Sequence, residues 1–495
     1  MTFAALRGAR RPHLAVAGLA ATFAAVFAVL SVVRHRGFHT AKYDLGNMTQ
    51  AVWSAAHGGL FRVTDPDGAI VSRLGSHVDP ILGLFAPLWR IWPRPEMLLV
   101  VQAVVVATMA VPAYLLARRW LADERLAVAF AAVALLLPAV QWATLFDFHP
   151  VTLAAPLLLW CIWAAVENRN MTLGVLAVLA MMTKEQVGLA LVFLGLWMAV
   201  TLGRRRAGAL LAAGGIVWTA IAVSVVIPHY NAGGTSALLE DRYGTLGNSV
   251  GGVLKSIVTR PWDAVQIATS ADRGVYLLAL FLPLLGLSLR APLLAAGALP
   301  DLVLNLLSSK SLQHDIAFHY SAVIAPFLLA AAILGLARLR DGGRPRVAGR
   351  IVASPRHVAA GLVLAAVLSG YVLGPLPMWQ HLPGGSDNRV DEFTVGSHAA
   401  VLREAVALVP RDAPVSAGNR IGGHLAARRM LVAFPVIADA TYVLVDTTSP
   451  DVGDDENAVA HAAAVQALRA RGDFAQVFDR DGVLVFRRTA SLTAR

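Results

Sequence analysis

The stretch KYDLGNMTQAVW, residues 42–53, places an acid, Asp44, at the head of an amphipathic segment. Leu45, Met48, Val52 and Trp53 fall at helical spacing, on a helix too polar to cross a bilayer. Two roles fit Asp44. As an N-cap it accepts an orphan backbone N–H, which is worth about 0.5–2 kcal/mol. As a general base for a hydroxyl it needs a fixed position more than a raised pKa. A carboxylate has two oxygens, so the roles are compatible.

Other breaks between apolar runs carry similar chemistry. HVDP holds His77 and Asp79 two residues apart, which suits a local turn, a metal or a sugar. FDFHP holds Asp147 and His149 before Pro150, where a plain connector would use Gly, Ser or Asn. In TKEQ, Lys184 and Glu185 read either as a snorkelling cation with a capping acid or as a phosphate ligand with its orienting partner. SLQHDIAFHY offers His314, Asp315, His319 and Tyr320, and PHYN offers His229. Imidazole and phenol donate to phosphate or sugar oxygens without the full cost of burying an ammonium. One acid lies deeper: Pro300 and Asp301 interrupt an apolar run, with Asn305 on the same helical face. It is either a functional intramembrane acid or part of a kink.

The elements that position these residues belong to a membrane protein. Of 495 residues, 57% are hydrophobic and 15% charged, against about 45–50% and about 25% in soluble domains. The mean hydropathy is +0.62. The single cysteine, Cys161, lies in an apolar run, which excludes a disulfide framework or a cysteine metal site. The net charge of +11 is uneven: residues 379–495 hold 12 Lys+Arg against 14 Asp+Glu, and residues 1–378 hold 30 against 17. The basic excess belongs to the membrane part, where it orients loops and meets anionic lipid. No nucleic-acid motif accompanies it.

Eleven apolar runs predict transmembrane helices: about 14–33, 97–117, 126–142, 151–167, 171–183, 187–203, 207–227, 275–289, 292–308, 319–337 and 357–377. The first is too long for a signal-peptide core and is expected to remain as an anchor. Alternate short loops carry the Lys and Arg, which puts them and the N-terminus on the cytoplasmic side. The histidines and acids above collect in the other set, at one outer face. Two amphipathic segments, about 44–57 and 79–90, are expected to lie in the membrane interface, the second with Trp89 and Trp92 in the head-group belt.

Residues 379–495 change character. HAAVLREAVALVP and HAAAVQALRARG have helical periodicity, whereas APVSAG, MLVAFP and TYVLVD are short β-rich runs, and FAQVFDRDGVLVF reads as a hairpin through DRDG. The expected architecture is an α-helical polytopic membrane domain, 1–378, followed by a small α/β extracytoplasmic domain, 379–495. Its expected role is substrate guidance or partner contact.

Taken in order, YDLGNMTQAVW, HVDPILGLFAPLW, FDFHP, KEQVGLAL, LPDLVLNLLSS, FHYSAVIAP and HLAARRMLVAFP with YVLVD resemble a bacterial family of polytopic membrane proteins known as a domain of unknown function. The resemblance covers about residues 38–490. That family is similar in layout to the GT-C glycosyltransferases, which use polyprenyl-phosphate sugars. The resemblance implies a first-loop acid as base, matched by Asp44, and interface helices matched by the two amphipathic segments. It also implies basic or polar groups from later outer loops on the donor phosphate, with Lys184 and His319 as candidates by location. The chain departs in lacking a first-loop Asp-Asp or Asp-Glu pair, which leaves the base and any divalent metal open.

The expected function is therefore transfer of a sugar from a polyprenyl-phosphate donor to a glycan, lipid or protein acceptor in the bacterial envelope. Asp44 is the candidate base, and His77, Asp79, Asp147, His149, Lys184, Glu185, His319 and Tyr320 are binding candidates. The alternatives are a lipid or small-molecule transporter or flippase, which would favour deep ionisable groups and inverted repeats, and a non-catalytic envelope assembly protein.

Overall fold

The computed structural model describes residues 3–231, 242–247, 250–341, 346–347, 350–351, 354–385, 390–448 and 458–489. Residues 232–241 and 248–249 of the long loop after the seventh apolar run lie outside these, as do parts of the basic loop 338–357. A helix stands at each of the eleven apolar runs. The first, Phe3–Arg36, ends on Arg34, His35 and Arg36, where cations meet unpaired carbonyls. Among the described residues four helices are long and apolar enough to cross a membrane, Arg11–Arg36, Glu96–Leu121, Arg205–Tyr230 and Pro355–Leu373, or up to six if each of two bent pairs is one span.

Prolines explain why some of the others are shorter or bent. Leu137, before Pro138, is forced to an extended ψ of 121°, and Glu124–Leu136 meets Pro138–Leu145 at 45°. The run expected at 275–289 ends as a helix at Phe281, because Pro283 is followed by left-handed Leu285 and Gly286. It pairs at 66° with Pro261–Ala268. Pro150–Val166, Asn170–Met181, Val187–Thr201 and Pro292–Leu307 are apolar but shorter than the roughly 20 residues that span a bilayer unaided.

The helix Ile324–Asp341 runs through the centre, with Phe327, Leu329, Ala330 and Ile333 fully buried. Its alanines let neighbours approach, and Gly297 lies directly on the Phe327 ring. Val187–Thr201 and Arg205–Ile221 close on one another through two glycine pairs, Gly188 with Gly215 and Gly195 with Gly208. Small residues permit that approach where lipid removes the hydrophobic drive for helix association.

After the first helix, the helix Asn47–Ala56 and the segment Pro80–Ile91 pack on one another. Between them lies an antiparallel hairpin of β1 (Arg62–Thr64) and β2 (Ile70–Ser72) that periodicity did not predict. The face of Leu82, Phe85 and Trp89 is buried against Met97, Leu98 and Phe148. Trp89 is therefore a core residue and not a head-group anchor. Trp92 is exposed. Amphipathic spacing does not distinguish a face turned to lipid from one turned to protein.

A two-residue pair, β3 (Arg346–Val347) and β4 (Arg350–Ile351), precedes the last apolar helix. The remaining strands form one sheet: β5 (Val415–Ala417), β6 (Leu431–Ala433), β7 (Tyr442–Asp446), β8 (Phe474–Arg480) and β9 (Val483–Arg488), in the order β6-β5-β7-β9-β8. β5 pairs in parallel with β6 and β7, and β9 is antiparallel to β7 and β8. The β8–β9 turn has Asp481 and Gly482 both at positive φ, as a two-residue hairpin connection demands.

This α/β unit is docked on the loop after the first helix. The rings of His35 and His424 stack at 4.0 Å, and Phe38 stacks on His424 at 3.8 Å. The Gln50 amide donates to the carbonyls of Arg428 and Arg429 at 3.2 and 3.1 Å, and the Leu431 N–H donates to Thr64 Oγ1 at 3.0 Å.

Candidate active site

The chain leaves the first helix through Phe38, in a left-handed conformation, and re-enters helix by one wide turn, Lys42–Gly46, running into Asn47–Ala56. The turn's first residue is preceded by Ala41, which has no side chain to cap it. The cap comes from elsewhere. Asp147 Oδ2 accepts the N–H of Ala41 at 2.8 Å and that of Leu45 at 3.4 Å. Asp44 is thus not the N-cap, because the orphan donors already have a carboxylate from another loop. Its own carboxylate turns outward, and His149 Nε2 lies 3.2 Å from its Oδ1.

Asp147 is buried and left-handed, at φ 44°. Its Oδ1 takes Arg34 Nη1 at 2.8 Å, and Arg34 also reaches Glu392 at 3.0 Å and the Leu145 carbonyl at 3.1 Å. Burial pushes the Asp147 carboxyl up to about 6, against the pull of Arg34. The FDFHP loop is clamped by Gln102, which donates to the carbonyls of Thr144 and Asp147 and accepts the His149 N–H at 3.0 Å. That arrangement aims the His149 ring. Its Nδ1 lies 3.2 Å from the Phe146 carbonyl and its Nε2 faces Asp44, so it has two acceptor partners. A neutral imidazole donates to only one of them. His319 stacks on His149 at 3.7 Å. Burial, then the neighbouring His149 and Lys184, hold the His319 ring well below its usual pKa and therefore uncharged.

Opposite lie the cations. Lys184 occupies the break between Asn170–Met181 and Val187–Thr201, and burial lowers its pKa although Glu185 opposes this. Glu185 accepts from His77 Nδ1 at 3.1 Å and from the Val78 N–H at 3.0 Å. Burial alone would raise the Glu185 carboxyl, but His77 and Lys184 outweigh it and hold it below the usual carboxylate range. Arg73 grips Asp79 Oδ2 at 2.7 and 2.8 Å. Lys42 Nζ donates to the Thr64 carbonyl at 3.3 Å, and burial lowers its pKa to about 8.

These groups surround one cavity of about 320 Å³. Asp44, His77, Asp79, His149, Lys184, His319 and Tyr320 line it, together with Lys42, Arg73 and Arg242. Asp147 and Glu185 stand behind the wall and orient residues that line it. His314 is paired with Asp272 at 2.8 Å, and it, Asp315 and His229 do not line the cavity. Asp301 is buried behind it, accepting from Gln186 at 3.4 Å. His77 and Asp79, read as a possible ligand pair, take different partners.

Among the described residues no three His, Cys, Asp or Glu converge as ligands, and Asp79, Asp147 and Glu185 are each engaged by Arg or His. Sequence reasoning passed over Lys42, Arg73, Arg242 and Gln102. Two signals were there: arginines in loops expected outside, against the orientation bias, and a lone glutamine in the apolar run EMLLVVQAVVVA.

Removing the capping acid tests this division of labour. Asp147→Ala strands Arg34 beside Glu392 alone and frees two backbone donors, at an expected cost of about 3–5 kcal/mol. Asp44→Asn, at a partly open side chain, is expected to stay within about 0.5 kcal/mol of wild type. Thermal unfolding in detergent measures both.

The fold is like that of ArnT. ArnT from Cupriavidus metallidurans in the apo state superposes with a TM-score of 0.50 at 14% identity, covering 97% of this chain and 99% of that one. ArnT of the same organism bound to undecaprenyl phosphate covers the same shares at 14% identity, with a TM-score of 0.48. Among curated proteins none matches the chain. The sequence profile of the family described as predicted membrane protein (DUF2079) matches residues 34–485, from the last turn of the first helix into β9. The chain therefore belongs to the DUF2079 family of predicted membrane proteins.

Proposed function

We propose that this protein is an integral membrane glycosyltransferase of the bacterial cytoplasmic membrane, with its N-terminus inside and its α/β unit outside. It transfers a sugar from a polyprenyl-phosphate donor to a glycan, lipid or protein acceptor of the envelope. The observation that carries the reading is a single cavity in which the Asp44 carboxylate shares space with Lys42, Arg73, Lys184 and Arg242. The likeness in fold to ArnT agrees with this reading.

In this reading the acceptor hydroxyl gives its proton to Asp44 while its oxygen attacks the anomeric carbon. The bond from that carbon to the phosphate oxygen breaks, and the electron pair leaves on the lipid phosphate. Charge grows on the phosphate as the bond breaks, and the cations of the cavity stabilise it most at that point. His149, fixed by Gln102, holds Asp44 in one position. His319, neutral by burial, offers a hydrogen bond without adding charge. The lipid-linked donor brings its own leaving group, so no nucleotide is needed at the outer face.

A transfer assay with radiolabelled polyprenyl-phosphate sugars tests the base. Asp44→Asn is expected to lose about 100-fold or more of the rate with normal expression, and full activity in that variant would refute the reading. Lys42 supplies a pH test. It is cationic below about 8 and neutral above, so kcat/KM for the donor is expected to fall as pH rises through about 8. Lys42→Arg keeps the charge and is expected to move that limb to higher pH, whereas an unmoved limb would assign it to another group.

A further inference from the structure

Lys42 is buried, and it lines the cavity that holds Asp44. A long, flexible side chain keeps one position only where both its stem and its head are held. Both holds lead to the α/β unit. At the stem, the helix Asn419–Leu425 passes so close that a Cβ at Gly422 would come within 2.8 Å of Lys42 Cβ. At the head, Nζ donates to the carbonyl of Thr64, the last residue of β1, at 3.3 Å.

Thr64 is itself fixed by Gln50. The Gln50 Oε1 accepts the Thr64 N–H at 2.9 Å, and its Nε2 donates to Thr64 Oγ1 at 2.9 Å. The same Nε2 donates to the carbonyls of Arg428 and Arg429, and Thr64 Oγ1 also accepts the Leu431 N–H at 3.0 Å. The hairpin tip is pinned as well, since Gly68, at φ 93°, has Ala438 where a Cβ would stand. Gln50 lies on the buried face of Asn47–Ala56, where an apolar residue would pack without desolvating an amide. Two bonds to one residue set its orientation as well as its distance. The carbonyl that meets Lys42 is thereby aimed.

We infer that Gln50 and Thr64 are positioning residues for Lys42, and that through them the α/β unit fixes the Lys42 ammonium in the cavity. The placement does not depend on what the cavity binds. Its use, setting a cation against the donor phosphate, rests on the transferase reading.

NMR titration of the full chain in detergent, with isotope-labelled lysine, tests the placement without substrate. The chain has four lysines, Lys42, Lys184, Lys255 and Lys310, and Lys42→Arg identifies the Lys42 signal. Burial holds Lys42 at about 8, against the pull of Asp65. Gln50→Leu removes both bonds to Thr64 at similar bulk, and Thr64→Val removes the hydroxyl. Each is expected to admit water to Nζ and to raise the Lys42 midpoint to about 9 or above, towards the ordinary value of about 10.4. Lys184 and Lys255 are expected to keep theirs, and Thr64→Ser, which retains the hydroxyl, is expected to titrate as wild type. A Lys42 midpoint unmoved in both Gln50→Leu and Thr64→Val, or a shift shared with Lys184, would overturn the inference. In the transfer assay the same two variants are expected to lose about ten-fold in kcat/KM for the donor, about 1.4 kcal/mol, with the alkaline limb following the midpoint. A moved midpoint in a protein without transfer activity would refute the transferase reading and leave the positioning in place.

Discussion

The architecture of the candidate site depends on one buried carboxylate. Asp147 joins the end of the first helix through Arg34, the start of the loop after that helix through the Ala41 and Leu45 N–H groups, and its own loop through the clamp on its carbonyl by Gln102. A buried charge is tolerated only when paired and fully hydrogen-bonded. All three parts must therefore be in place together. Asp44 and His149 are carried by the two segments so joined, and their 3.2 Å contact is a consequence of that junction.

The α/β unit acts as a buttress from the other side. The helix Asn419–Leu425 packs on the Lys42–Gly46 turn so closely that a Cβ at Gly422 would meet the Lys42 side chain. Gln50 and Thr64 tie the same region to Arg428, Arg429 and Leu431. A turn that carries a reactive side chain on a loop gains from such support, because small displacements are costly in catalysis. In the proposed reaction this gives the C-terminal residues a positioning part in the site.

How much of this was legible depends on the range of the interaction. The apolar runs, the C-terminal strands and the DRDG hairpin follow from local periodicity and turn chemistry, whereas the β1–β2 hairpin carried no such signal and the run at 275–289 stops short as a helix at Phe281. Outer-loop histidines and acids stood out because topology does not explain imidazole as it explains Lys and Arg. The capping role went to the wrong acid because the N-cap preference is local, whereas the Ala41 N–H is satisfied from a loop more than a hundred residues away. Trp89 misled for a similar reason, since a buried and a lipid-facing stripe have the same spacing. Arg73 and Arg242 were passed over although arginines in loops expected outside run against the orientation bias, because long-range packing decides which of them lines a cavity.

In the proposed reaction, cations from four separate segments meet one phosphate beside Asp44. An experimental structure of the full chain with a polyprenyl phosphate bound addresses this directly. The phosphate is expected within hydrogen-bonding distance, about 3 Å, of at least two of Lys42, Arg73, Lys184 and Arg242, with the lipid tail leaving between helices. A phosphate bound outside that cavity, with Asp44 beyond reach of the phosphate-linked position, would contradict it.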